Sequence, residues 1–366
     1  MFSYIPNLFH LFGALSYACT LEGQRFDGQS RSPLDFRVPG NCLSRIATDF
    51  LRTATVMLLM LLAGHSAAQQ FSLMGGRVRD HSWNDDATSY ALEYSAPLNK
   101  TLSYSLGYLN EGHVTDHHRD GIGAQLWAGL DLTNKWSIKA GIGPYLYFDT
   151  AAKPGGSFAD DHGIGVIASV STSYQLNRRW GVELRANRTM TARSVDLTSV
   201  LVGIGYTFDA PGGPDSKDSQ PSWRSDRARP NEISASAGQT YVNNFESETA
   251  TAFQFEYRRN LARKFDWTAG VLREGAPGPL DRTGVLSQLW AIRPFWNDRA
   301  TIGIGLGPYL AYDSKDDDRT RLSAAISFTG SVMISNNVLM RATWHRIATQ
   351  YDRDTDVFLL GVGMRW

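Results

Sequence analysis

Beyond residue 70 the sequence has no helical periodicity, and nowhere does it carry an apolar run of the length a membrane-crossing helix needs. Such a helix takes about 20 apolar residues. The stretch TATVMLLMLLA, residues 53–63, stops well short of that. Cysteine is scarce: there are two, Cys19 and Cys42, both near the N-terminus. A disulfide framework is therefore not what holds the rest of the chain together. An excess of one charge is missing as well, with 36 Lys and Arg against 36 Asp and Glu. No basic footprint for nucleic acid follows from that balance. Helical membrane bundles, disulfide-stapled scaffolds and nucleic-acid binders are set aside on these grounds.

The short apolar run has a different reading. Arg45 and Arg52 precede it, and GHSAAQQ follows, with Ser66 and Ala68 as the small residues of a cleavage site. A basic flank, an apolar core and a small-x-small site describe a secretory signal peptide. Residues 1–68 are thus expected to be an N-terminal extension and signal peptide, and export would remove both cysteines.

What is abundant is glycine, 34 residues, and aromatics, 11% of the chain. Much of the glycine lies inside apolar runs. In WSIKAGIGPYLYFDT, residues 136–150, Ile138, Ala140, Ile142, Pro144, Leu146 and Phe148 share one face. Gly141, Gly143, Tyr145, Tyr147 and Asp149 share the other. Period-two alternation marks strands with one apolar face. The second face is small and weakly polar rather than rich in lysine, which suits the inside of a narrow barrel. Apolar-out, polar-in segments of about ten residues are the signature of transmembrane β-barrels.

Eight such segments are expected in the first half, near 71–79, 88–97, 101–110, 121–132, 135–149, 163–176, 180–188 and 197–208. Their connections alternate. RDHSWNDDA, EGHVTDHHRD, TAAKPGGSFADDH and TMTARSVD are long and polar, while LNK, TN and NRR are short. Outer-membrane barrels place long loops outside and short turns in the periplasm.

The second half repeats the first in order. LNEG (109–112) matches LREG (272–275), AQLWAG (124–129) matches SQLWAI (287–292), and IGPYLYFD matches LGPYLAYD around Pro144 and Pro308. Residues 183–208 match 341–366. The expected organisation is a barrel repeat over 69–208, a Pro-, Gly- and Ser-rich linker over 209–231, and a second repeat over 232–366. The fold class is all-β. Two tandem eight-stranded barrels are favoured over one sixteen-stranded barrel, because bulky inward Trp127, Tyr145 and Tyr147 beside glycines suit a filled lumen. Each proline lacks a ladder donor, so a bulge is expected at Pro144 and at Pro308.

Matched polar residues gather at strand ends on the expected outer side: Glu111 with Glu274, Asp149 with Asp313, and Arg188 with Arg346. Thr191 with Asp196 and Thr349 with Asp354 follow in the last outer loops. They read either as loop-root ion pairs or as a polar ligand site at the outer leaflet, where arginine could hold a phosphate. His113, His117, His118 and Asp116 read as a solvated loop rather than a metal site, since the second repeat has APGPLDRT there. No metal or cofactor is expected.

The stretch WHRIATQYDRDTDVFLLGVGMRW, residues 344–366, resembles the end of the outer-membrane lipid A deacylase family. That family is an eight-stranded barrel that removes an acyl chain from lipopolysaccharide with a His-x-Ser pair on its seventh strand and a nearby acid. The resemblance places a catalytic histidine at His345, with Ile347 where the serine belongs. In the first repeat Asn187 and Thr189 take these places. A hydroxyl needs an adjacent base to attack an ester, and neither repeat supplies both. The expectation is therefore an outer-membrane barrel that is deacylase-like but non-catalytic, structural or lipopolysaccharide-interacting. A sixteen-stranded pore for a solute or polysaccharide, and an active lipid A esterase, are the alternatives. Its expected partners are outer-membrane lipid, lipopolysaccharide and the barrel assembly machinery.

Overall fold

Strands with one apolar face and no helix to cover them must close on themselves or leave unpaired edges. The computed structural model shows closure, twice. It describes residues 69–208 and 230–366, apart from 81–83, 154, 156, 193, 263, 297 and 317–318. The signal peptide, both cysteines and nearly all of the linker lie outside the described residues. The first eight strands are β1 (Gln70–Asp80), β2 (Asp85–Pro97), β3 (Leu102–Val114), β4 (His117–Asp131), β5 (Trp136–Ala152), β6 (Phe158–Gln175), β7 (Trp180–Met190) and β8 (Leu197–Thr207). The second eight are β9 (Asn231–Val242), β10 (Thr249–Ala262), β11 (Phe265–Gly275), β12 (Arg282–Phe295), β13 (Ala300–Asp313), β14 (Arg319–Met333), β15 (Val338–Ala348) and β16 (Thr355–Arg365).

Each set forms an antiparallel meander whose last strand returns to its first. β1 pairs with β8, Met74 opposite Gly203, and β9 pairs with β16, Gly238 opposite Leu359. A sixteen-stranded wall would require β8 to run beside β9. The fold is therefore two closed eight-stranded barrels, and all sixteen strands fall within one compact unit.

The faces sort as the alternation requires. Leu73, Ile142, Val170 and Val202 point outward and are exposed on the first barrel, and so are Phe255, Val285, Leu310 and Leu360 on the second. Ser105, Gln125, Trp127, Tyr145, Ser169 and Arg185 are buried inside the first. Exposed apolar belts of this size suit hydrocarbon rather than water.

Two local expectations change. EGHVTDHHRD is not a long loop: β3 runs to Val114 and β4 starts at His117, so only Thr115 and Asp116 turn the chain. Asp116 takes the positive φ, 61°, that this tight turn demands. The apolar alternation ends there because both faces meet water, while the hydrogen-bond ladder continues. Neither proline marks a bulge. The pairing of β4 with β5 keeps one register across the proline, from Gly123–Tyr145 to Leu126–Ile142. The same holds for β12 and β13, from Leu286–Tyr309 to Leu289–Leu306. The ladder simply skips two rungs on that side. On the other side Pro144 pairs Val166 and Pro308 pairs Ala324 without interruption.

The glycines around these prolines have separate tasks. At Gly143 a Cβ would run into the carbonyl oxygen of Ala124, and at Gly307 into that of Ser287. These are the oxygens opposite the prolines, which lean in where no N–H holds them. At Gly141 and Gly305 a Cβ would collide with the indole rings of Trp127 and Trp290. The glycines thus seat two buried tryptophans flat against the barrel wall.

Candidate functional site

The lumen of each barrel is occupied by side chains arranged in tiers. In the first barrel Arg185 donates to both oxygens of Glu93, at 2.7 and 2.6 Å, and stacks on Trp127 with its guanidinium carbon 4.7 Å from the ring centre. The Trp127 indole donates to Ser105 Oγ at 2.8 Å. In the second barrel Arg258 stacks on Trp290 at 4.5 Å, and that indole donates to Thr268 at 3.0 Å. A buried charge is tolerated only when paired and hydrogen-bonded, and these are.

The next tier contains the position that the resemblance marks as catalytic. His345 is fully buried inside the second barrel. Its Nδ1 lies 2.6 Å from Ser327 Oγ and its Nε2 lies 3.1 Å from Gln254 Oε1. Ser327 also accepts from Gln288 Nε2 at 2.8 Å. The first barrel builds the same tier without histidine: Gln125 donates to Ser169, Ser169 to Asn187, and Asn187 to Ser199. Ser327 was not legible from the motif, because it lies on β14 and meets His345 across the rung.

Towards the loop ends lies a charge cluster that both barrels share. Glu111 accepts from Arg119 Nε at 2.6 Å, Thr189 Oγ1 at 2.6 Å and Tyr145 Oη at 3.0 Å. Glu274 accepts from Arg282 Nη2 at 2.7 Å and Thr355 Oγ1 at 2.6 Å, with Tyr309 beside Arg282. The hydroxyl has changed strands. Thr189 faces Leu197 across β7 and β8, whereas Ile347 faces Thr355 across β15 and β16. The isoleucine at the serine position is thus answered by a threonine on the neighbouring strand. Arg119 and Arg282 follow their glutamates at the same spacing in both repeats, a signal the sequence did carry.

The remaining predicted residues form three groups. Asp149 Oδ2 accepts from Ser194 Oγ at 2.6 Å and lies 2.8 Å from His117 Nδ1. Asp313 accepts from Arg353 at 2.8 Å. Thr191 and Thr349 each donate a backbone N–H to Asp196 and Asp354, at 3.0 and 2.7 Å, and so close equivalent loops. Arg188 and Asp196 are half-exposed and meet at 3.3 Å. His113 and His118 stack across the β3–β4 hairpin at 3.9 Å, while His117 turns to Asp149, so the histidines do not converge. No group able to hold a metal ion occurs among the described residues.

Arg346 and Asp354, the counterparts of Arg188 and Asp196, act differently. They point from the second barrel to the first. Arg346 meets Asp120 of β4 at 3.3 Å and its own Asp356 at 2.8 Å, with Phe148 under its guanidinium at 5.1 Å. Asp354 meets His162 of β6 at 2.7 Å, and its backbone N–H donates to Asp160 at 3.1 Å. Burial raises the Asp354 carboxyl pKa, but His162 and Arg346 outweigh it and hold the group below the ordinary carboxylate value. Below these charges Tyr108 meets Trp344 edge to face at 4.6 Å. Sequence reasoning missed Asp120 and His162, because a junction between barrels leaves no mark in either strand's alternation.

Chemically, the set pairs charges and fills the two lumens. A hydroxyl and histidine adjoin at Ser327 and His345, but both are sealed inside the barrel. At the rim Ser194 and His117 share Asp149, with the acid between them, so the serine meets a carboxylate and not the imidazole of a Ser-His-Asp order.

No family model matches the chain, and no curated protein matches it. Among solved structures, the N-terminal β-barrel domain of Pseudomonas aeruginosa OprF is 12% identical, covering 39% of this chain and 98% of its own, with a TM-score of 0.33. Neisserial surface protein A is 18% identical over 38% of this chain and 96% of its own, with a TM-score of 0.30. The toluene transporter TbuX of Ralstonia pickettii is 10% identical over 82% of this chain and 90% of its own, with a TM-score of 0.24.

Proposed function

We propose that the chain is an outer-membrane protein of two filled barrels, non-catalytic, which presents its loop ends to lipopolysaccharide at the outer leaflet. One observation carries the reading: polar contacts reach across both lumens, Glu93–Arg185 and Glu111–Thr189 in one, Gln254–His345 and Glu274–Thr355 in the other. Such contacts obstruct a water path, and the interior of eight strands is just wide enough for side chains to fill. The apolar outward belts supply the bilayer surface. The half-exposed Arg188 at the loop end supports contact with a lipid phosphate, which guanidinium groups recognise well. The buried state of His345 argues against the deacylase alternative, since the ester would have to enter the barrel.

The test is three measurements, one on the refolded chain and two on cells that express it. In planar bilayers it should show no steady conductance, and its expression should leave the acyl chains of lipid A intact. Arg188→Glu should weaken co-purification with lipopolysaccharide several-fold. Steady conductance would turn the reading towards a pore, and loss of one acyl chain towards an esterase.

A further inference from the structure

Among the described residues the two barrels touch at the loop end and at the turn end, and the space between these contacts has its own chemistry. At the loop end is the charged junction of Asp120, His162, Arg346 and Asp354. At the turn end Phe208 of the first barrel meets Phe295 of the second at 5.1 Å, and the Trp296 indole donates to Tyr206 Oη at 3.3 Å. Between them lies a cavity of about 670 Å³. Its walls are outward-facing side chains of both barrels, among them Leu92, Leu106, Ile304, Phe328, Phe358 and Leu360. Two cations, Lys264 and Arg293, also line it. They sit together near the turn end, since the Ile292 N–H donates to the Lys264 carbonyl.

We infer that this groove binds one phospholipid with an anionic headgroup, its acyl chains between the barrels and its phosphate against Lys264 and Arg293. The depth follows from the strands: the walls are the same outward faces that meet hydrocarbon elsewhere on the barrels. The leaflet follows from asymmetry. The loop end of the groove is bounded by the charged junction, which carries Asp120, Asp354 and Asp356 beside Arg346 and so disfavours a phosphate, whereas at the turn end the two cations lie beside an aromatic contact. An apolar cleft with a few placed polar groups is the usual form of a lipid or small-molecule site, and lysine and arginine attract phosphate. The assignment to the inner leaflet rests on the reading that the loop ends face outward. The groove itself does not depend on the lumens being filled.

Gly330 gives a clean variant. It lines the groove, and a Cβ built on it meets nothing within 4 Å. Gly330→Trp therefore places an indole in the cleft without disturbing either lumen, and tryptophan suits a strand. The experiment is native mass spectrometry of the full chain in detergent, titrated with dioleoylphosphatidylglycerol, with heat-modifiable gel mobility to confirm folding. The wild type should retain one phosphatidylglycerol at collision energies that strip all others. Gly330→Trp should lower that retention at least tenfold. Lys264→Gln combined with Arg293→Gln should abolish the preference over dioleoylphosphatidylcholine. Equal retention by the folded Gly330→Trp chain overturns the site, as does a wild type that keeps lipid A in place of phosphatidylglycerol. A chain that conducts yet still loses its phospholipid with Gly330→Trp would sink the filled-lumen reading and support the groove.

Discussion

Ile347 shows how far a single position can mislead. Read along β15, it removes the hydroxyl that a His-x-Ser pair needs. Read across the rung, it sits opposite Thr355, whose hydroxyl reaches Glu274 as Thr189 reaches Glu111 in the first barrel. One threonine hydroxyl per cluster is retained, on either of two facing strands. This yields a test by exchange. Thr355→Leu should leave Glu274 and Arg282 one partner short and destabilise the chain by about 1–3 kcal/mol. Adding Ile347→Thr rebuilds the Thr189–Leu197 arrangement and should recover most of that loss, as read by urea unfolding in detergent micelles. If the double variant is no better than the single, the two clusters are not equivalent. Removing the acid is the harsher change. Glu274→Gln leaves Arg282 buried without its counter-charge, a loss of about 3–5 kcal/mol on the same assay.

At the scale of the element, the matched strands β5 and β13 of the two repeats were legible almost in full. Their alternation, their inward aromatics and their outward prolines all stand in the sequence, and the structure keeps each. What alternation could not convey was the proline's local effect, since a skipped rung and a bulge look alike in one strand's pattern. The polar loop expected between β3 and β4 failed for a related reason. Beyond the bilayer both faces of a strand are wet, so β3 and β4 continue with no hydrophobic signal to mark them. The skipped rungs make a prediction. Pro308→Ala returns an N–H opposite the Ser287 carbonyl and should be neutral or stabilise by up to about 1 kcal/mol. Gly307→Val, one residue earlier, drives a branched side chain into that same carbonyl and should prevent closure of the second barrel. Heat-modifiable gel mobility separates the two outcomes. A folded Gly307→Val chain would show that β12 and β13 can part more easily than their register implies.

For the whole molecule, sequence reasoning reached the number of barrels but not their union. Residues such as Asp120 and His162 look like ordinary strand-end polar groups until the second barrel brings Arg346 and Asp354 against them. The linker is therefore not the only tie between the halves, and the junction should respond to acid. Asp354 faces His162, Arg346 and Asp160, and its carboxyl pKa is held below the ordinary value in the assembled state. A carboxylate with a lowered folded pKa contributes stability that is fully present above its unfolded pKa, about 3.9. That contribution is lost as pH falls through the folded value. The window thus lies below about pH 4. After cleavage at a protease site introduced between residues 209 and 229, the halves should migrate together by size exclusion at pH 7. Asp120 and Asp160, whose carboxyls burial raises to about 7, work the other way and favour the complex as pH falls from 7 towards 4, so the halves should separate only below that window, with each half still heat-modifiable. Asp354→Asn removes the charge at every pH and should loosen the neutral complex while flattening the acid response. Halves that part at pH 7 in the unaltered chain would show that the linker alone joins them. A complex that survives acid unchanged would move the weight of the junction to Tyr108, Trp344 and the aromatic contact at the turn end.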